Sequence, residues 1–454
     1  MLQAVLFLTL DMNAGETRLA HGASIALIET SASRDESQGA VREARASVTV
    51  DGVKQLLLCG NYELPVTVGK IQIDCPVTAA YRENSTLDHW GLRTAARLRV
   101  WPKGSPWMQP GEWGYPLRQR WFLTHTQMSN EPTYVDRGER VARKKVYYHA
   151  GLDMGGPEAN VEVVAATDGR IVSLGKPILE GHEKGTPVNS RYDVIYLLDS
   201  RGWYYRYSHL HSFAPGLKLG DTVKKGQTLG LLGKEGGSGG WSHLHFEAVA
   251  KQPSGEWGTQ EGFAFLWEAY LNERKPEVIA IARPHRYARV GDRVALDASR
   301  SFVRDKPARY EWKFSDGRVV KSATAEMTYS KPGTYSETLT VRDRNGKLAY
   351  DFATVNVYGD EDPFTINANY APGHDIKPGT VVRFQVRTFG KTDGEETWDF
   401  GDGSPRRSTK SDGNVKALAP DGYAKIEHTY TKPGDYVVTI RNGNATTQLW
   451  VPVR

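Results

Sequence analysis

Two histidine-bearing segments hold most of the residues in this 454-residue chain whose types and spacing suit chemistry. One reads His149-Ala-Gly-Leu-Asp153. The other reads Ser242-His243-Leu244-His245-Phe246-Glu247 and is preceded by Tyr207-Ser208-His209-Leu210. A hydrolytic zinc needs about three protein ligands and one open position for water, and His and Asp are the usual donors outside cysteine-rich sites. Together the segments offer two imidazoles and a carboxylate to hold one ion, with further imidazoles to act as a base. His243 and His245 are two apart. On a strand, period two puts both on one face while Leu244 and Phe246 point to the core. The same rule groups Tyr207, His209 and His211. Gly151, and Gly155-Gly156-Pro157 beyond, argue against a helix through His149 and Asp153, so that pair belongs at a strand end or turn.

The elements that must position these residues read as β-structure. Short alternating runs punctuated by Gly, Pro, Asn and Asp recur throughout, and helical periodicity is almost absent. Residues 1–135 form a β-rich block of unknown role, with candidate strands at 4–10, 47–50, 54–58 and 96–100. Residues 101–121 are rich in Trp, Pro and Gly and read as an aromatic-packed connection; a sugar-stacking surface is the sharper alternative. Residues 136–275 form the second block, led in by the basic stretch 137–145. Its runs at 161–175 and 219–230 carry Asp168-Gly169 and Lys225-Gly226 and read as tight antiparallel hairpins. One helix is expected over residues 261–274, with Phe263, Leu266, Trp267 and Tyr270 on one stripe. Residues 276–359 and 360–454 repeat one pattern: Trp312-Lys-Phe-Ser-Asp-Gly317 and Trp398-Asp-Phe-Gly-Asp-Gly403, each followed by Tyr-x-Lys-Pro-Gly-x-Tyr at 329–335 and 430–436. Such a repeat means two copies of one small domain. An inward Trp and Phe two apart, closed by Asp-Gly, fit a sandwich strand. The second copy departs by a longer insertion, residues 404–422. Asp399 and Asp402 read as turn formers rather than a calcium site.

The order of motifs across residues 147–248 resembles the M23 family of zinc metallopeptidases. The resemblance includes Ala165-Ala-Thr-Asp-Gly169, Lys225-Gly-Gln-Thr-Leu-Gly230 and His243-Leu-His-Phe-Glu247. It implies that His149, Asp153 and His245 are zinc ligands, that His243 and His209 are catalytic, and that the substrate is the peptide bridges of bacterial peptidoglycan. The sequence departs from the family before the His-x-His, where Gly237-Ser-Gly-Gly-Trp241 stands; Trp241 either narrows the groove or stacks on substrate. His211 and His182 read as surface residues, and Glu247 as a carboxylate behind the ligands. The two repeats resemble PKD domains, immunoglobulin-like β-sandwiches, which implies spacing, orientation, or binding of polysaccharide or protein. The whole is therefore an all-β chain: an N-terminal β-rich region, an antiparallel M23-type domain and two sandwiches. The expected function is a Zn2+-dependent endopeptidase. The competing readings are a non-catalytic scaffold of the same family and, from Val223-Lys-Lys-Gly-Gln, a biotinyl or lipoyl carrier, which has no use for the histidines.

A composition that is 39% hydrophobic and 24% charged is that of a globular chain. The net charge of +5 favours an anionic polymer but is too small to imply nucleic-acid binding. No run reaches the roughly 20 apolar residues of a spanning helix. The apolar start lacks a basic flank and a cleavage site, so it reads as a poor signal peptide, while the resemblance implies an extracytoplasmic location. Cys59 and Cys75 flank a strand-like stretch and suit either a disulfide across a hairpin or two buried thiols. Pro276 and the preceding helix set the two repeats apart from the histidine block, so the sequence predicts that they are dispensable for the chemical step.

Overall fold

The computed structural model describes residues 7–35, 39–134, 146–360, 362–390 and 395–454. The basic lead-in at 137–145 and the first six residues of the apolar start lie outside the described residues. Antiparallel sheets dominate throughout. In the N-terminal block, Leu8–Met12, Ala96–Pro102, Ile71–Thr78 and Val66–Val68 make one sheet, and Thr17–Ala20, Ala23–Arg34, Val41–Val50 and Val53–Leu58 make a meander. The alternating pattern drives their packing: Ile25, Leu27, Val48, Ile73 and Leu98 are all buried in one core. Cys59 and Cys75 sit side by side on neighbouring strands as free, buried thiols.

The Trp-rich stretch is packing material. Trp101, Trp113 and Trp121 are buried in the same core as Leu152, Phe246 and the helix residues Phe263 and Trp267. That helix, Phe263–Arg274, starts two residues later than expected and buries side chains around most of its circumference rather than on a stripe. It begins where it does because Glu261 is drawn away: Glu261 Oε1 accepts from Phe263 N at 2.7 Å, and Arg99 Nη1 donates to the Glu261 carbonyl at 2.6 Å.

The central sheet of the second block orders its strands Thr222–Val223, Gly169–Leu174, Ile195–Leu198, Tyr204–Ser208, His243–Lys251, Leu152–Gly155 and Thr126–Gln127. A smaller sheet joins Glu162–Val164, Thr228–Leu232 and Leu210–Phe213. The expected hairpins at Asp168-Gly169 and Lys225-Gly226 are not formed. Each turn instead carries the chain from one sheet to the other, and the two corners fasten to each other: Lys225 N donates to Asp168 Oδ1 at 2.8 Å and Lys224 Nζ to Oδ2 at 2.8 Å. Both lysines are ion-paired, Lys224 with Asp168 and Lys225 with Glu273, and the turn joins two sheets instead of forming the hairpin tip that a carrier domain needs.

The two repeats share one sheet that runs Arg286–Arg289, Leu348–Tyr358, Gly333–Arg342, Ala445–Val453, Gly434–Asn442, Glu396–Asp399 and Arg407–Thr409. A parallel bridge, Thr334 to Ala445, joins the copies. Trp312 with Phe314, and Trp398 with Phe400, are buried as the pattern predicts. Asp399 and Asp402 accept from Gly401 N and Ser404 N, each at 3.0 Å, as turn formers do.

Arg99 fastens the N-terminal block to the helix start. It is fully buried, with Asp74 within 2.5 Å and Glu261 Oε2 at 3.4 Å. Removing it would leave two carboxylates buried without a cation. Arg99→Ala is therefore expected to destabilise by about 3–5 kcal/mol, read as an earlier transition in urea by tryptophan fluorescence.

Candidate metal centre

Antiparallel register brings the first two donors together. Asp153 on Leu152–Gly155 lies directly opposite His245 on His243–Lys251, so both side chains leave the same face of the sheet. His149 arrives by a bend at Gly151, whose φ is +76°. A Cβ there would stand 2.5 Å from the Phe246 carbonyl oxygen, so only glycine lets the segment close on the sheet. The result is a nearly equilateral triangle. His149 Nε2 lies 3.0 Å from His245 Nδ1, His245 Nδ1 lies 2.9 Å from Asp153 Oδ1, and His149 Nε2 lies 3.0 Å from Asp153 Oδ1. All three residues are buried.

Protons alone fit this triangle poorly. Whichever ring donates to Asp153, the two ring nitrogens still face each other across 3.0 Å. Three lone pairs aimed at one point suit a shared cation, and a mixed imidazole and carboxylate set suits zinc. The electrostatics agree. Burial opposes the Asp153 charge, but the imidazoles of His149 and His243 outweigh it and hold the carboxyl well below the usual range. Behind the triangle, Glu247 Oε2 is 3.8 Å from His245 Nε2. Burial works against the Glu247 charge too, yet the contact with His245 holds it at about 2. It stands where a carboxylate orients a ligating ring.

His209 and His243 flank the triangle, their ring centroids 4.6 Å apart. His209 does not continue the strand of Tyr207. It falls between Tyr204–Ser208 and Leu210–Phe213, which belong to different sheets, and its φ is +67°. That conformation costs a non-glycine residue about 1–3 kcal/mol, and the fully buried Asp193 side chain holds it: Asp193 Oδ2 accepts from His209 N at 2.9 Å and is itself bound by Arg191. The kink also separates the histidines that period two would group. His211 points to solvent, 3.6 Å from Glu158. His209 Nδ1 lies 2.6 Å from the Glu235 carbonyl and 3.2 Å from Arg191 Nη2; the carbonyl can only accept and is the nearer, which assigns the ring proton to Nδ1 and leaves Nε2 as an acceptor. Burial, then the neighbouring His243 and His245, push this imidazole well below its usual range, so it is neutral.

His243 has an acceptor at each nitrogen: the Trp241 carbonyl at 3.1 Å from Nδ1 and Asp153 Oδ2 at 3.3 Å from Nε2. Its ring is stacked on Trp241, centroids 3.8 Å apart and planes 17° apart. A second grouping, Glu158, His211 and Glu235, is also compact. It already has its cation, because Lys234 Nζ lies 2.7 Å from both Glu158 oxygens. His182 binds Tyr204 Oη at 2.9 Å on its own loop.

The five histidine and aspartate positions singled out by motif thus meet at the floor of a cleft of 820 Å³. The rest of that cleft was not legible as site. The N-terminal block contributes His89 and His125, and the two repeats contribute His285, Tyr287, Thr334, Asn356 and Asn367. The separation expected from the helix and Pro276 is therefore not found. Those residues come from six stretches with no shared motif, and only tertiary packing assembles them. Arg191 and Asp193 had a local signal, a charge pair just before a strand, but nothing in it points to His209.

Residues 147–255 match the family described as peptidase family M23, and residues 274–357 and 364–451 each match a PKD domain. Among solved structures, the chain is similar to Csd3 of Helicobacter pylori, at 18% identity over 57% of this chain and 58% of that one, with a TM-score of 0.22. It is also similar to the antimicrobial peptidase lysostaphin from Staphylococcus simulans, at 19% identity over 45% of this chain and 82% of that one, with a TM-score of 0.22. Fibronectin(III)-like modules of Clostridium thermocellum CbhA align at 14% identity over 39% of this chain and 94% of theirs, with a TM-score of 0.15. The chain thus spans little more than half the length of the Csd3 structure. Scores this low describe no common overall arrangement, so the assignment of the segments stands on the family matches.

The triangle predicts one zinc per chain by elemental analysis after dialysis. His245→Ala is expected to lose stoichiometric metal and His211→Ala to keep it.

Proposed function

We propose that this chain, an M23 peptidase segment followed by two PKD domains, is a zinc-dependent endopeptidase that hydrolyses peptide bonds in the cross-bridges of bacterial peptidoglycan. The observation that carries the reading is the buried triangle of His149, Asp153 and His245 with two further imidazoles on its open side. When bound, zinc would lower the pKa of a water toward about 7 and polarise the scissile carbonyl. His149, Asp153 and His245 would hold it. Asp153 suits the role because it is ionised, and Glu247 steadies the His245 ring from behind.

The chain's own groups account for the proton movements. His209 is neutral, with Nδ1 committed to the Glu235 carbonyl, so its Nε2 lone pair is the base that accepts a proton from water. His243 faces an acceptor at each nitrogen and suits the opposite task, donating to the carbonyl oxygen as charge develops or to the departing amine. The cleft, at 820 Å³, is large enough for several residues of an extended peptide. Walls from the N-terminal block and the repeats restrict water at its floor, which strengthens these interactions. No nucleic-acid role is proposed. Among the described residues no helix is long and apolar enough to cross a membrane, and the substrate places the protein outside the cytoplasm. The PKD domains also offer outer surfaces for wall polysaccharide or protein.

The test is incubation of the zinc-loaded chain with purified peptidoglycan and mass analysis of the soluble products. New amino and carboxyl termini within cross-bridges are expected. His209→Ala and His243→Ala should each lose about 10²–10⁴ in rate while keeping zinc. A chain that binds zinc but releases nothing from wall or from cross-bridge peptides would be a scaffold of the same family.

A further inference from the structure

The longer insertion of the second PKD domain, residues 404–422, has no counterpart in the first. It packs on the loop 236–242 that delivers Trp241 to His243. Asn414 Nδ2 donates to the Gly239 carbonyl at 3.1 Å, and Arg387 Nη1 donates to the Gly240 carbonyl at 2.5 Å. Next along the loop, Ser242 N donates to Tyr423 Oη at 2.9 Å, and that hydroxyl donates to Asn367 Oδ1 at 2.9 Å. The approach is close: a Cβ on Gly240, whose φ is +87°, would stand 2.1 Å from Asn414 Oδ1 and 2.6 Å from the Ala417 carbonyl.

The clamp is itself rigid. Arg387 is fully buried, and its N–H groups are divided among the Asp412 carboxylate and the carbonyls of Gly240, Lys416 and Ala417. Tyr423 and Asn367 are buried as well. A buried guanidinium must place all its N–H groups, and Arg387, its charge already paired with Asp412, places Nη1 on a backbone carbonyl of the neighbouring domain, a contact that a mere spacer does not need. What the clamped loop carries is the ring stacked on His243 and the carbonyl that binds His243 Nδ1. The loop is four-sevenths glycine over residues 236–242, and glycine-rich backbone is the most expensive to order. Intrinsic stiffness therefore cannot fix Trp241, and contacts from outside the loop must.

We infer that Tyr423, Arg387 and Asn414 are positioning residues for the reaction. The second PKD domain acts as a fixed clamp that orders the loop 236–242 and thereby sets the orientation of Trp241 and His243 over the metal centre. This rests on the hydrolase reading for its effect on turnover, but the clamp is observable without turnover.

The test uses the full chain and two chemically identical changes in one domain. Tyr423→Phe removes only the hydroxyl that receives Ser242 N. Tyr430→Phe removes an equally buried hydroxyl that donates to the Phe400 carbonyl at 3.2 Å, away from the loop. Asn414→Gly is a second probe, because the φ of +61° at Asn414 suits glycine and the backbone is kept. Hydrogen–deuterium exchange of residues 236–242 should quicken in Tyr423→Phe and Asn414→Gly and stay at the parent's rate in Tyr430→Phe. With a soluble cross-linked wall peptide as the probe, kcat of Tyr423→Phe should fall by about tenfold, with KM within about twofold of the parent's and zinc content unchanged. Exchange at the parent's rate in both loop variants overturns the proposal. So does faster exchange with kcat unchanged, or an equal loss of kcat in Tyr430→Phe. A parent chain that cleaves no wall peptide, yet whose loop loosens only in the loop variants, upholds the clamp and rejects the hydrolase reading.

Discussion

Three donor atoms held within about 3 Å of one another in a buried site form the constraint on which the rest of this structure depends. Bringing a carboxylate and two imidazoles out of water into mutual contact is unfavourable unless something neutralises them. The fold spends specific features on keeping them there. Asp153 faces His245 through sheet register. His149 is swung in by a glycine bend with no room for a side chain. His149 is then tied at both of its backbone groups, His149 N to the Glu131 carbonyl and Asn130 N to the His149 carbonyl, each at 2.9 Å. A cation would resolve the repulsion among the lone pairs, and in the proposed hydrolase the same ion would make the site reactive.

The surrounding groups divide into a face that would hold the ion and a face that, in the proposed reaction, would handle protons. Glu247 backs the first. The second depends on backbone more than on side-chain neighbours: the Glu235 carbonyl fixes the His209 tautomer, and the Trp241 carbonyl fixes His243. That dependence explains why the ordering of two loops matters so much. Asp193 orders the turn of His209 from within the M23-like segment. The Trp241 loop, being glycine-rich, is held by Ser238 within it and Gly156 beside it, and further by contacts from the neighbouring sandwich.

Much of the floor of the site was legible in the sequence, because period two on a strand and the order of motifs are local properties. His149, Asp153, His209, His243 and His245 converge as their pattern suggests. The repeat was equally readable, since Trp312 with Phe314 and Trp398 with Phe400 mark the same buried strand position twice. Other features depend on pairing partners far away in the chain. Asp168-Gly169 and Lys225-Gly226 have the composition of hairpin turns, but the strands on either side find partners in different sheets, and the turns become corners. His209 sits where period two breaks, at a positive φ that no side-chain pattern announces. The cleft walls from His89, His125, His285 and Asn367 are assembled only when the blocks dock. The helix and Pro276 suggest a separation, but the cleft draws residues from both sides of them.

The most direct test of the central claim is a crystal of the full chain grown with zinc, with diffraction collected on both sides of the zinc absorption edge. One strong anomalous peak per chain is expected in contact with His149, Asp153 and His245, and none at Glu158, His211 and Glu235, where Lys234 already stands. An empty triangle at saturating zinc, or a peak at the second grouping instead, would contradict it.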